Sequence, residues 1–212
     1  MSTLDQDEQE RLAELQGWWK DHGGAVLALA VLALAVFGAW NGWNWYQRTQ
    51  AAQAATLYDT LQKAARANDL KATRDAAGAI LEGFPRTIYA PLAALVSAKV
   101  QFQAGDLKTA QAQLQWVIEH GGNDEIRSIA RLRLVSVLLD GNDAAAALQA
   151  LDAAPAPGFE ALYASARGDI FLAQKKNTEA RAAYRAALDK AEPGDGALRQ
   201  ALRLKLDALG EG

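Results

Sequence analysis

The stretch Gly23–Trp40, GGAVLALAVLALAVFGAW, holds 18 residues without a charge, and no charged side chain stands between Asp21 and Arg48. At about 1.5 Å per residue, a helix over this segment crosses the roughly 30 Å hydrocarbon core of a bilayer with room for tilt. Tryptophans collect at both ends: Trp18 and Trp19 precede the run, and Trp40, Trp43 and Trp45 with Tyr46 follow it. Their amphipathic rings suit the headgroup level, so these six residues are the expected membrane anchors. A buried soluble helix accounts for the apolar run but not for aromatics gathered outside both its ends.

The flanks argue against a cleavable signal peptide. The first twenty residues carry Asp5, Asp7, Glu8, Glu10 and Glu14 against Arg11 and Lys20, whereas a signal peptide opens on positive charge and closes on small residues. An uncleaved anchor is expected, with residues 1–21 as a short N-terminal arm and 22–47 as a transmembrane helix. Thr3 and Gln6 resemble a capping box, and Leu12, Leu15 and Trp19 share one helical face, so the arm reads either as a short helix or as a frayed terminus. Charge leaves the orientation open. Arg11 and Lys20 on one side nearly balance Arg48, Lys63 and Arg66 on the other, with a slight lean toward a cytoplasmic C-terminal domain. Within the span, Gly38 and Gly42 form a small-xxx-small pair at which another membrane helix could pack closely, although Ala, Leu and Val also serve hydrophobic length alone.

Residues 48–212 are long enough for one domain with its own core. From Arg48 onward 20 Lys and Arg face 19 Asp and Glu, without the basic stripe that phosphate neutralisation requires, so no nucleic acid is expected as a partner. Cysteine is absent, which removes disulfides and cysteine-based metal sites.

The domain reads as all-α. Alanine-rich segments compatible with helix span 49–67, 70–82, 87–103, 107–119, 124–139, 143–151, 159–174, 177–190 and 196–209, separated by short turns of Gly, Asn, Asp and Pro. Such turns join antiparallel neighbours. The starts Asn68-Asp69-Leu70-Lys71, Gly105-Asp106-Leu107-Lys108, Gly141-Asn142-Asp143-Ala144 and Lys176-Asn177-Thr178-Glu179 recur at intervals of 37, 36 and 35. This period belongs to stacked helical hairpins and lies near the tetratricopeptide value of about 34. The last unit shows the fullest face, with Gly168 and Ala180 allowing close approach, Phe171 and Tyr184 filling the groove, and Ala187 following. The second unit offers Ala98, Gly105, Ala110 and Leu114. A C-terminal capping helix is expected from Leu198, Leu202, Leu206 and Leu209 on one face. An alanine-rich bundle without a groove satisfies the same spacings.

Nothing in the sequence assembles into an active site. His22 and His120 stand far apart, the Gly23-Gly24 and Gly121-Gly122 pairs lack the Lys-Ser/Thr ending of a phosphate loop, and no nucleophile elbow surrounds His120. No catalytic residue, metal site or cofactor is expected. The polar side chains Gln101, Gln103, Arg131 and Arg133 fall on helices with small or apolar opposite faces, and Gln101, Arg131 and Arg133 are taken as a possible partner surface. Trp116, the one tryptophan outside the membrane region, reads either as an aromatic anchor for a partner or as a core residue.

The entry WWKDHGG at Trp18–Gly24, one span, the exit GWNWYQ at Gly42–Gln47 and four degenerate hairpin repeats together resemble the YfgM-like ancillary subunit of the bacterial SecYEG translocon, over almost the whole chain. The resemblance implies a single transmembrane helix followed by a tetratricopeptide-like solenoid. It also implies an inner-membrane location with a cytoplasmic N-terminus and a periplasmic repeat domain. The partners it implies are SecYEG, a membrane-anchored periplasmic chaperone of the parvulin-like prolyl-isomerase type and, through them, exported polypeptides. The corresponding function is a non-enzymatic, membrane-tethered scaffold linking the translocon to periplasmic chaperones. The same architecture also suits an envelope-assembly or cell-division scaffold, or a cytoplasmic-facing adaptor.

Overall fold

The computed structural model describes the backbone of residues 3–210 and the side chains of residues 17–29 and 31–210. The Thr3–Gln6 capping pattern and the Leu12 and Leu15 positions lie outside the described side chains. Among the described residues every regular element is an α-helix: α1 (Thr3–Arg66), α2 (Leu70–Gly83), α3 (Tyr89–Gln103), α4 (Leu107–His120), α5 (Asp124–Asp140), α6 (Ala144–Ala150), α7 (Glu160–Ala173), α8 (Asn177–Lys190) and α9 (Gly196–Ala208). The chain divides into two units, residues 1–49 and 50–212.

The sequence suggested a break between the span and a helix beginning at residue 49, yet α1 is one continuous helix of 64 residues. No Gly or Pro occurs between Gly42 and Arg66, and the Gln- and Ala-rich segment that follows the aromatic cluster favours helix throughout. In the first unit, α1 carries the one segment among the described residues long and apolar enough to cross a membrane, with 6% of its most apolar window buried. That exposure separates it from the core helix of a soluble protein.

In the second unit the helices pair as four hairpins: the end of α1 with α2, α3 with α4, α5 with α6, and α7 with α8. The same turn closes each one. Asn68, Gly105, Asn142 and Lys175 all have positive φ, between 52° and 81°. Immediately after each, the N–H of Asp69, Asp106, Asp143 or Lys176 donates to the carbonyl five residues back, on Ala64, Gln101, Leu138 and Phe171, at 2.8–3.0 Å. This satisfies orphan carbonyls at one helix end, and the same residue starts the next helix. Asp69, Asp106 and Asp143 accept from the N–H groups of Ala72, Thr109 and Ala146 at 2.9–3.0 Å, whereas Lys176 makes no side-chain cap. The left-handed residues are 37, 37 and 33 apart. The intervals of 37, 36 and 35 read from the sequence are therefore displaced at the third and fourth units, which start in the sequence reading at Gly141 and Lys176 whereas the left-handed residues are Asn142 and Lys175. Alignment on Gly141 missed that Asn142, one position later, is the left-handed residue.

The repeat register organises the core. Four positions after the cap stand Thr73, Ala110, Ala147 and Ala180, all fully buried, and eight after it stand Ala77, Leu114, Leu151 and Tyr184, at most 1% exposed. Eight positions before the cap stand Leu61, Ala98, Val135 and Gly168, on the partner helix of each hairpin. In three hairpins their volumes compensate those eight after the cap, Leu61 with Ala77, Ala98 with Leu114 and Gly168 with Tyr184, whereas the third holds Val135 and Leu151. Close packing demands such compensation, because an interior tolerates neither a void nor an overlap.

These residues build three clusters. Leu61, Ala77, Ile80, Ala90 and Ala93 form the first. A central one runs from Ala94 through Leu114, Leu134 and Leu138 to Tyr163 and Ile170. Ala164, Ala180, Tyr184, Ala187 and Leu202 form the last, with Leu198 and Leu206 of α9, Leu209 just beyond its end, and Phe171 packed against it. Helix α9 is also held by polar contacts. Arg199 donates to the carbonyls of Leu188 and Ala191 at 3.0 and 2.9 Å, Arg181 donates to the Leu209 carbonyl at 2.9 Å, and the Lys205 ammonium bonds both carboxylate oxygens of Asp169.

Candidate functional site

On α1 the aromatic residues Trp18, Trp19, Trp40, Trp43, Trp45 and Tyr46, read from the sequence as membrane anchors, are all at least half exposed. From Trp19 to Trp40 the helix advances about 32 Å, close to the thickness of a hydrocarbon core. Two polar side chains between and beside them bond within the helix, as a lipid environment favours: Asn41 Nδ2 donates to the Phe37 carbonyl at 2.9 Å, and His22 Nδ1 lies 3.2 Å from the Trp18 carbonyl, with its ring stacked on the Trp18 ring. Trp43 and Tyr46 lie with ring centroids 6.1 Å apart. Gly38 and Gly42 have open sides, since a Cβ built on either meets no atom within 4 Å.

In the second unit, α3 and α5, the first helices of two consecutive hairpins, enclose a cavity of about 310 Å3 lined by Ala98, Lys99, Phe102, Leu114, Arg133, Ser136 and Val137. Its floor is apolar. Ala98, Leu114 and Val137 are nearly fully buried members of the central cluster, against which Phe102 also packs. Its rim is polar and exposed, made by Lys99, Arg133 and Ser136. The Arg133 guanidinium donates to the Leu95 carbonyl at 3.3 Å, which fixes it at the rim.

The structure corrects the partner surface read from the sequence. Gln101 is fully buried. Its Nε2 donates to the Leu70 carbonyl at 3.1 Å, and its Oε1 accepts from Arg74 at 3.2 Å, while Arg74 also reaches Asp106 at 3.0 Å. The reason lies in the repeat. Gln101 stands five residues before the cap, where the other hairpins place Ala64, Leu138 and Phe171, so it occupies a core position and joins the first hairpin to the second. Arg131 and Arg133 also separate. Arg131 lines a different cavity, of about 460 Å3, with Gln115, Ile118, Leu138, Gln149 and Asp152 of α4–α6 and the segment after it. Trp116 is partly buried, packs against both the first and central clusters, and stacks on His120 at 4.7 Å.

The residues read as repeat packing fall within the hairpins. Ala98, Ala110 and Leu114 lie in the central cluster, and Ala180, Tyr184 and Ala187 in the last with Phe171 beside them. Gly105 takes φ 81° in its turn. At Gly168 a Cβ would overlap the Tyr184 ring. The Tyr184 hydroxyl donates to Asp169 at 2.7 Å and Lys205 sits 5.2 Å above the ring. Burial, then the bond to Asp169, pushes the Tyr184 hydroxyl above its ordinary pKa, so it stays a neutral donor. Sequence reasoning missed Lys99, Phe102 and Ser136. Lys99 and Ser136 are 37 residues apart and therefore equivalent in consecutive hairpins, a signal visible only once the register is known. Among the described residues no three His, Cys, Asp or Glu side chains gather in a metal-binding arrangement.

A family model described as a tetratricopeptide repeat-like domain matches residues 16–211. A Neisseria gonorrhoeae protein named "Ancillary SecYEG translocon subunit" is 32% identical over 96% of this chain and 97% of its own length. Proteins of the same name are 27% identical in Haemophilus influenzae, over 96% of this chain and 98% of the relative, and 28% identical in Escherichia coli K12, over 65% and 72%. No solved structure matches the chain significantly. With a family model spanning nearly all of the sequence and a relative of this identity over its full length, the chain belongs to the tetratricopeptide-like family of ancillary SecYEG translocon subunits.

Proposed function

We propose that this protein is a non-enzymatic, membrane-tethered subunit that accompanies the SecYEG channel in the inner membrane and holds periplasmic chaperones beside it. The observation that carries this reading is the full-length similarity to relatives named for the translocon. One apolar helix supplies location, and four stacked hairpins supply a surface for partners. Tethering both partners to one membrane raises their effective concentration, so modest direct affinity suffices. The orientation that places the repeat domain in the periplasm follows from the family resemblance, as does the parvulin-like chaperone as partner. Gly38 and Gly42 are the proposed packing point on the span.

The test is crosslinking from a photoreactive residue at position 43 of the full-length protein in cells, with identification of what is captured. SecY, SecE or SecG is the expected partner, and capture of neither a translocon subunit nor a periplasmic chaperone overturns the reading. External protease added to spheroplasts removes the C-terminal domain if it is periplasmic; full protection would require the adaptor orientation instead.

A further inference from the structure

The cavity between α3 and α5 combines an apolar floor, continuous with the central cluster, with a cationic rim. Its floor of Ala98, Leu114 and Val137 with Phe102 is apolar, and its rim holds the cations Lys99 and Arg133 with no Asp or Glu in the lining. Four cations elsewhere in the repeat domain pair with carboxylates, Lys71 with Asp75, Arg74 with Asp106, Arg127 with Asp124 and Lys205 with Asp169. Lys99 and Arg133 make no ion pair among the described residues. The bond from Arg133 to the Leu95 carbonyl engages one nitrogen of the guanidinium and leaves further N–H groups available in a fixed orientation. Ser136 adds a hydroxyl that donates and accepts. Asp140, one turn beyond Ser136, lies outside the lining.

We propose that this cavity seats one large apolar side chain of an extended polypeptide segment that carries carboxylates on either side of it. The volume, about 310 Å3, lies at the small end of ligand sites and suits a side chain rather than a cofactor. Removing an aromatic or branched side chain from water onto the buried floor drives binding, and the two rim cations select acidic neighbours over basic ones. The equivalent places, Lys99 in one hairpin and Ser136 in the next, let a strand running across the repeats meet a cation and then a hydroxyl. This assignment rests on the reading of the repeat domain as a protein-binding surface and names the chemistry of its partner.

The test uses the full-length protein in detergent and a fluorescein-labelled decapeptide with Glu-Phe-Glu at the centre of a Gly/Ser background, followed by fluorescence anisotropy. Replacing the central Phe by Ser is expected to weaken binding about tenfold or more. The Gln-Phe-Gln peptide, and the Lys99→Gln protein with the original peptide, should each bind about threefold more weakly, with the difference shrinking as salt rises. Ser136→Phe fills the cavity and should abolish binding; Lys99→Gln, at an exposed position, keeps the test decisive if that variant does not fold. Equal binding of the Glu-Phe-Glu and Gln-Phe-Gln peptides, or unchanged binding by Lys99→Gln, overturns the proposal. So does attachment of anionic-lipid vesicles through Lys99 and Arg133 while no peptide binds. The same variants are scored for co-purification of translocon subunits from membranes. The peptide titration reads the cavity and the co-purification reads the tether, so the failure of one is distinguishable from the failure of the other.

Discussion

Replacing Gly168 by alanine isolates the packing rule of the hairpins in one atom. A mid-helix glycine is about 1 kcal/mol less favourable than alanine, so propensity alone makes Gly168→Ala stabilising. The structure reverses that sign, because the added Cβ would overlap the ring of Tyr184, a fully buried side chain with no space to retreat into. Moving the ring forces overpacking, at about 1–3 kcal/mol, and strains the 2.7 Å bond from the Tyr184 hydroxyl to Asp169, worth about 1 kcal/mol more. The net loss is then about 2 kcal/mol, which lowers Tm by about 4–8 °C in a domain of this size. Gly78, in the middle of α2, provides the control, since a Cβ there meets nothing within 4 Å. Gly78→Ala should raise Tm by about 2–4 °C. The assay is thermal melting of the full-length protein in detergent, followed by circular dichroism. A double variant, Gly168→Ala with Tyr184→Leu, recreates the Ala98–Leu114 pair of the second hairpin and should recover part of the loss. A Gly168→Ala protein that melts at or above the unaltered one refutes the size-compensation argument.

Two further outcomes follow from the same geometry. Gln101→Ala removes a buried side chain bonded to Leu70 and Arg74, so it should destabilise the domain by about 2 kcal/mol in denaturant titration while leaving Glu-Phe-Glu peptide binding unchanged. Hydrogen bonds from Thr109, followed by the charges of Arg74 and Lys108, hold the Asp106 carboxyl below the usual carboxylate range. A folded pKa depressed below the unfolded value contributes stability that is complete above about pH 4 and fades as pH falls through the folded pKa. The difference in Tm between the unaltered protein and Asp106→Asn should therefore be largest near neutrality and close in acid; a difference that grows on acidification contradicts it.

Much of this fold is legible in the sequence, for identifiable reasons. The drafted helices 70–82 and 107–119 differ by one residue from Leu70–Gly83 and Leu107–His120, because left-handed turn residues followed by capping aspartates punctuate the chain. The continuity of α1 was not legible, since the change from an apolar to a polar surface at Arg48 resembles a boundary although the backbone has no reason to break there. Gln101 was misplaced for a related reason: polarity suggests exposure, but position in the repeat decides burial. The third hairpin hid its register because α6 has only seven residues and is followed by the segment 151–159, which contains Pro155 and Pro157. There the buried Ser128 hydroxyl accepts from the Ala156 N–H at 3.0 Å and substitutes for the missing helical turns as an anchor.

The candidate site was hard to see because a repeat protein distributes its chemistry outside its pattern. Positions that recur every hairpin, four and eight residues after each cap and eight before it, are buried and constrained by volume, so their residue types report stability. A partner is distinguished at positions that have the same place in each hairpin but different residues. At the position of Lys99 the four hairpins hold Gln62, Lys99, Ser136 and Asp169, and at that of Arg133 they hold Asp59, Val96, Arg133 and Ala166. Those differences place two cations over an apolar floor between α3 and α5, while Asp169 in the last hairpin is occupied by Lys205 of α9. Stacking identical hairpins creates the surface, and the departures from identity at these two places give one stretch of it a charge and a cavity.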